Sequence, residues 1–176
     1  MSTPQQERIL KLTLWKNCRK YEFPPRPIFR LKLIFIRQMI NKKFLGTSFT
    51  TALINDKDRY HEKAQEISPL YMRDCLITTD AILLEIGNAP AKDFKDEALS
   101  VIKTLRNSNK TEVVEINSEL FEKGLEIYET YRDKTWGLVD CISFVVMKEQ
   151  NITDALTCDK HFAQAGFRAL MLDSVN

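Results

Sequence analysis

Apolar positions along the chain follow two regimes that change near residue 40. Upstream they are scattered, and Pro24-Pro25-Arg26-Pro27 forbids a continuing helix, so little of residues 1–39 is patterned to bury a core. From Lys42 the pattern becomes regular. Phe44-Leu45 reads as a short buried strand ending at Gly46-Thr47-Ser48. Tyr60, Ala64, Ile67 and Tyr71 recur at helical spacing, and Cys75-Leu76-Ile77 predicts a second strand. Thr78 or Thr79 can then cap a helix over residues 80–88. Phe94, Ala98, Val101, Ile102 and Leu105 mark the apolar face of an amphipathic helix. A third strand is predicted over 112–116, and Asn117-Ser118 opens a helix whose inward stripe is Leu120, Phe121, Gly124, Leu125 and Tyr128. Trp136-Gly137 precedes a nearly all-apolar helix over 138–150. A strand at 155–158, a short helix at 161–165 and a last strand at 168–172 complete the series. Strands alternating with helices predict an α/β domain with a central parallel sheet flanked by helices on both faces.

Length and composition narrow the class. The 176 residues suffice for one domain, and 44% hydrophobic with 28% charged residues is a globular balance. No apolar run approaches the roughly 20 residues of a membrane helix, so no membrane partner is expected. Four cysteines occur without a C-x-x-C pair, and His61 and His161 are too isolated to complete a zinc site. Cys75, Cys141 and Cys158 have apolar neighbours, as reduced buried thiols do, which points to a cytoplasmic location.

Charge redraws the domain boundary. Residues 1–43 hold eleven basic side chains against Glu7 and Glu22, a net +9, which leaves −7 for the remainder and hides behind an overall +2. The expected organisation is a basic, poorly patterned extension over 1–40 and a folded domain over 41–174. Met39 stands just before the change and is the expected natural start, with the upstream residues an extension of the reading frame. The rival readings are an RNA-binding arm and a polyproline ligand.

Three acids resist a solvated reading. Asp140 is surrounded by Leu138, Val139, Cys141, Ile142, Phe144, Val145 and Val146, and the only polar stripe of its helix is Gly137, Asp140 and Ser143. A carboxylate there costs several kcal/mol to desolvate unless it meets a cation or strong donors. Glu85 lies among Ile82, Leu83, Leu84 and Ile86. Asp159 directly follows a predicted strand, at the carboxyl end where open α/β sheets bind ligands. Each alone could be a helix cap or half of a buried ion pair. Together, without histidine or thiolate partners, they suit a hard divalent cation that keeps several waters. The matching chemistry is attack on a phosphodiester. No Gly-rich phosphate loop or G-x-S-x-G is present.

Four segments carry a resemblance. Gly46-Thr47-Ser48-Phe49, Leu84-Glu85-Ile86-Gly87-Asn88-Ala89, Trp136 to Phe144 and Thr157-Cys158-Asp159-Lys160-His161-Phe162 resemble, in order and spacing, the successive motifs of PIN domains of the VapC-type toxin branch. The resemblance spans about residues 41–172. It implies a compact α/β ribonuclease that uses Mg2+ or Mn2+, is commonly a homodimer and is inhibited by a bound antitoxin protein. Glu85, Asp140 and Asp159 are by resemblance its catalytic and metal-site acids. The first motif of the family reads Asp-Thr-Ser, whereas this chain has Gly46-Thr47-Ser48. Glycine offers no ligand atom, so weaker metal affinity is expected, with water and Thr47 or Ser48 at that position.

The expected function is therefore a metal-dependent endoribonuclease of the toxin–antitoxin kind, impaired by Gly46. The alternatives are a catalytically silent domain that binds RNA or an antitoxin, and a phosphoacceptor signalling domain on a similar sheet. The last is disfavoured because its acids should gather round one accessible aspartate. Arg132, Lys134 and Lys160 could contact RNA phosphates or simply be solvated, and Trp136 could stack on a base or pack beneath the apolar helix. His161 is read as a helix-start residue.

Overall fold

A computed structural model describes residues 41–71, 74–88 and 94–173. The sequence expectations for the basic extension, for a start at Met39 and for Ala89 lie outside them. The first strand, β1 (Lys42–Leu45), buries Lys43, Phe44 and Leu45. It feeds α1 (Thr47–Ile54), α2 (His61–Ile67) and a 3-10 turn at Ser68–Tyr71. Next come β2 (Cys75–Thr79), α3 (Asp80–Asn88), α4 (Lys95–Asn107) and β3 (Thr111–Val114). The chain continues through α5 (Ser118–Thr130), α6 (Leu138–Glu149), β4 (Asp154–Leu156), α7 (Lys160–Gln164) and β5 (Arg168–Ala169).

All five strands are parallel, in the order β3-β2-β1-β4-β5. The chain first builds outward from β1 through β2 to β3, then returns to lay β4 against the other side of β1. Phe44 pairs with Ile77 on one side and Ala155 on the other. The order of strands reverses at the β1–β4 seam, and the carboxyl ends of the strands at such a reversal are where open α/β sheets place their ligand sites.

Helix α6 is the central buried helix. Every residue from Cys141 to Met147 is buried, as its near-continuous apolar sequence predicts. Its partner is α5, where buried Gly124 admits the close approach: a Cβ at that position would lie 2.4 Å from a side-chain carbon of Ile142. The aromatic part of the core joins Phe144 to Phe162, Phe167 and Trp136, with ring centroids 5.1–5.6 Å apart.

Four details differ from the pattern reading. Thr47–Ile54 is a helix where only a strand end is visible in the sequence, because Phe49, Ala52 and Ile54 bury one face of it against the domain. Strand β3 stops at Val114, and the Ile116 N–H instead bonds the Asp80 carboxylate at 3.2 Å. Strand β5 ends at Ala169 as the chain turns, although Leu170 and Met171 stay buried. On α5 the inward stripe is narrower than expected: Leu120 and Gly124 are buried, while Phe121 and Tyr128 are exposed.

Candidate functional site

The crevice between β1 and β4 is built by backbone and hydroxyl groups. As β1 ends, the Gly46 N–H donates to the Leu156 carbonyl at 3.1 Å and ties the exit of β1 to that of β4. Two residues on, Ser48 Oγ lies 2.8 Å from Thr157 Oγ1 and accepts from the Cys158 N–H at 3.0 Å. Thr157 Oγ1 in turn accepts from the Asp159 N–H at 3.1 Å. Asp159 caps the N-terminus of α7 by accepting from the His161 N–H at 2.9 Å. From the other side α6 begins after Gly137, whose N–H donates to Asp140 Oδ2 at 2.9 Å.

These placements bring Asp140, Asp159 and His161 together, with one ligand atom of each within 4.8 Å of the others. His161 Nδ1 is 3.1 Å from Asp140 Oδ2 and 3.3 Å from Asp159 Oδ1. Ionised carboxylates only accept, so Nδ1 carries a proton and Nε2, 3.0 Å from Thr135 Oγ1, accepts from that hydroxyl when the ring is neutral. Burial pushes the Asp140 carboxyl above its ordinary range, and the charge of Asp159 adds to the rise. The Gly137 N–H bond and His161 pull the other way. The sequence marks His161 only as a helix-start residue. Its proximity to Asp140 and Thr135 depends on contacts 21 and 26 residues away in the chain, which no local pattern reports.

Glu85 is placed differently. It is half-buried on α3, and its Oε2 accepts from the Thr47 hydroxyl in the first turn of α1. It lies outside the 4.8 Å cluster. Its helix is not enclosed by apolar neighbours as the sequence suggests, since Leu84 beside it is exposed. Gly46, where the sequence resemblance leads one to expect an acid, has φ −93° and ψ 163°, an extended conformation open to any residue. A Cβ there would meet Thr157 Cβ at 3.2 Å and Thr157 Oγ1 at 3.3 Å.

Two convergent carboxylates in a crevice fit a hard divalent cation that takes oxygen ligands and retains waters. A half-buried Asp140 next to a second carboxylate is the electrostatic situation that such a cation relieves. Trp136 packs: it is buried, its Nε1–H donates to Gln164 Oε1 at 3.0 Å, and its ring stands edge-on to Phe144. Lys134 pairs with Asp133 at 2.9 Å, the Arg132 Nε–H donates to the Glu129 carbonyl, and both side chains are exposed, as is Lys160. Cys141 is buried, but Cys75 and Cys158 are only partly so, and burial raises all three thiols above their ordinary range. No helix among the described residues is long and apolar enough to cross a membrane.

Comparison with known proteins bears on this site. The sequence model of the PIN domain matches residues 43–168. The 23S rRNA-specific endonuclease VapC20 of Mycobacterium tuberculosis, in strains CDC 1551 / Oshkosh and H37Rv, is 27% identical over 128 residues; the alignment covers 70% of this chain and 94% of that protein. The crystal structure of VapC20 from the same organism, described as a sarcin-ricin loop cleaving toxin, superposes with a TM-score of 0.66 at 26% identity, covering 72% of this chain and 97% of that one.

Proposed function

Because the chain belongs to the PIN domain family, we propose that it is a metal-dependent endoribonuclease of the toxin–antitoxin kind, hydrolysing RNA phosphodiester bonds. The observation that carries this reading is the convergence of Asp140, Asp159 and His161 at the β1–β4 crevice. It stands in a chain similar over nearly the full length of an rRNA-cleaving relative. Asp140 and Asp159 are the residues that would hold Mg2+ or Mn2+, with Glu85 a third acid at the same sheet edge. When bound, the cation polarises the phosphoryl oxygen and lowers the pKa of water for attack on phosphorus.

The chain's own residues prepare that chemistry. The Gly137 N–H orients one lone pair of Asp140, and the Ser48–Thr157 hydroxyl pair fixes the backbone on which Asp159 stands. Thr47 holds the Glu85 carboxylate at the start of α1. The partners that accompany this reading are an RNA substrate, with single strands and loops favoured because their bases are accessible, an antitoxin protein and a second copy of the chain. The site of action is the cytoplasm.

Magnesium titration by calorimetry, followed by RNA cleavage with and without EDTA, tests the proposal. Saturable Mg2+ binding with EDTA-sensitive cleavage is the expected result. RNA or antitoxin binding without cleavage at any Mg2+ or Mn2+ concentration would replace it with the second reading, a catalytically silent binding domain. That reading is favoured by one feature, the absence of a ligand atom at Gly46.

A further inference from the structure

Beside the acidic cluster lies a cavity of about 540 Å3, formed by the end of α5, the segment leading into α6 and the first turn of α6. This is within the roughly 300–1,000 Å3 of sites that enclose small ligands. It shares a wall with the site. Thr135, which lines it, is hydrogen-bonded to His161 Nε2, and Cys141, which also lines it, directly follows Asp140. The aromatic lining is Tyr128, Tyr131 and Trp136. Trp136 is committed to the core, and Tyr131 rests against it with ring centroids 5.0 Å apart. Tyr128 is 48% exposed and has no ring partner among the described residues. Arg132 and Lys134 supply positive charge to the lining, and Glu129 a single acceptor carboxylate.

We propose that this cavity receives an unpaired base of the RNA next to the bond that is cut, with Tyr128 as its stacking surface. The inference rests on the nuclease reading and names how that site takes hold of its substrate. A flat aromatic face suits any base, because every base has a π-face. Beside it, the exposed Arg132 guanidinium and Lys134, which can exchange its exposed Asp133 partner for a phosphate, suit the phosphates on either side of that base, which is the charge pattern of single-strand binding. Glu129 adds an acceptor for a base amino group and gives the cavity a means of preferring one base over another.

The test is equilibrium binding of a fluorescent single-stranded oligoribonucleotide to the full chain in EDTA, where cutting is suppressed. An otherwise identical strand carrying abasic sugars is the control. Tyr128→Ala should weaken binding of the base-bearing strand by about 5- to 150-fold, the scale of one base–aromatic stack. Tyr128→Phe, which keeps the ring face, should bind as the parent does. The abasic strand should bind more weakly, and equally to the parent and to Tyr128→Ala. A parent that binds and cuts RNA while Tyr128→Ala retains parental affinity overturns the cavity assignment and leaves the nuclease reading intact. So does an abasic strand that still loses affinity on Tyr128→Ala. A parent that binds no RNA removes the nuclease reading and this inference with it.

Discussion

Replacing Gly46 with aspartate tests the expectation, drawn from the motif resemblance in the sequence, that an acid at this position would join the site. The backbone allows the change, since φ −93° and ψ 163° are open to any residue. Packing resists it. The new Cβ would sit 3.2 Å from Thr157 Cβ, so Thr157 must yield by a few tenths of an ångström. Overpacking of this kind costs about 1–3 kcal/mol. Gly46 is also the N-cap of α1 and makes no side-chain bond there, so an aspartate would return a few tenths of a kcal/mol as a cap, roughly the measured advantage over glycine. A further carboxylate at the sheet edge that already carries Glu85, Asp140 and Asp159 adds repulsion that a cation relieves. The metal-free variant should therefore melt lower than the parent, by about 2–10 °C for a domain of this size. Magnesium affinity should rise by about 10- to 100-fold, the scale on which supporting groups act at metal sites. At a Mg2+ concentration 100 times the new Kd, binding contributes about 2.7 kcal/mol, enough to offset the packing cost. The expected signature is a lower Tm in EDTA, recovered in Mg2+, with faster RNA cleavage. A variant that is folded by circular dichroism yet matches the parent in Mg2+ affinity, in the Mg2+ dependence of Tm and in cleavage would refute the correspondence at the first motif.

Three further outcomes are expected, two from the site and one from the basic extension. Asp140→Asn should abolish cleavage and weaken metal binding while raising Tm at neutral pH. The folded-state pKa of Asp140 is raised, so the stability tied to its protonated form is present in acid and lost as pH rises through the folded pKa. The Tm difference between variant and parent should accordingly shrink on acidification, and a difference constant from neutral to acid pH would contradict the desolvation argument. His161→Ala should tighten Mg2+ binding by up to about tenfold in calorimetry, because its N–H competes for carboxylate lone pairs that oxygen-seeking cations need; weaker binding would show His161 to be a ligand. Removing residues 1–38, which carry most of the +9 segment, should flatten the salt dependence of RNA binding and leave metal affinity unchanged. An unchanged salt slope would exclude an electrostatic arm.

The fold was legible where one physical signal dominated. Helix α6 announces itself because a run of apolar residues longer than a strand has only Asp140 and Ser143 to interrupt it. Helix α3 is legible to its ends, with the Thr79 hydroxyl accepting from the Ile82 N–H as a cap should. Helix α1 was not legible, since Thr47, Thr50, Thr51 and Ile54 are β-branched and favour strand locally; burial of Phe49 and Ala52 overrides that preference. The same limit applies to the site. Asp140 and Asp159 could be picked out because each breaks a local pattern, one in an apolar helix and one at a strand exit. His161 breaks none, and Tyr128 was assigned to the core because helical spacing gives the width of an apolar stripe only approximately. What separates core from surface on α5 is the line of contact with α6, set by Gly124 against Ile142.

The topology explains why residues so far apart in sequence share one edge. A parallel strand can return to the sheet only through a crossover, so each of β1, β2 and β4 delivers its following loop to the same side. Gly46, Asp80 and Asp159 are consequently first or near-first residues after strands, and Glu85 sits within α3 after β2. Asp140 reaches the same edge by another route, from the first turn of α6, whose N-terminal end faces that side. An exposed helix N-terminus favours an anion, and here Asp140 and Asp159 occupy two of them, on α6 and α7. The N-terminal dipoles thus partly offset the cost of two adjacent carboxylates before any cation arrives. At α1 no N-cap side chain does this, because position 46 is glycine, and the carboxylate at its first turn is Glu85, held by the Thr47 hydroxyl. Gly46→Asp would therefore supply a helix cap and a candidate ligand together, which is why its stability and its Mg2+ affinity are expected to change in one variant.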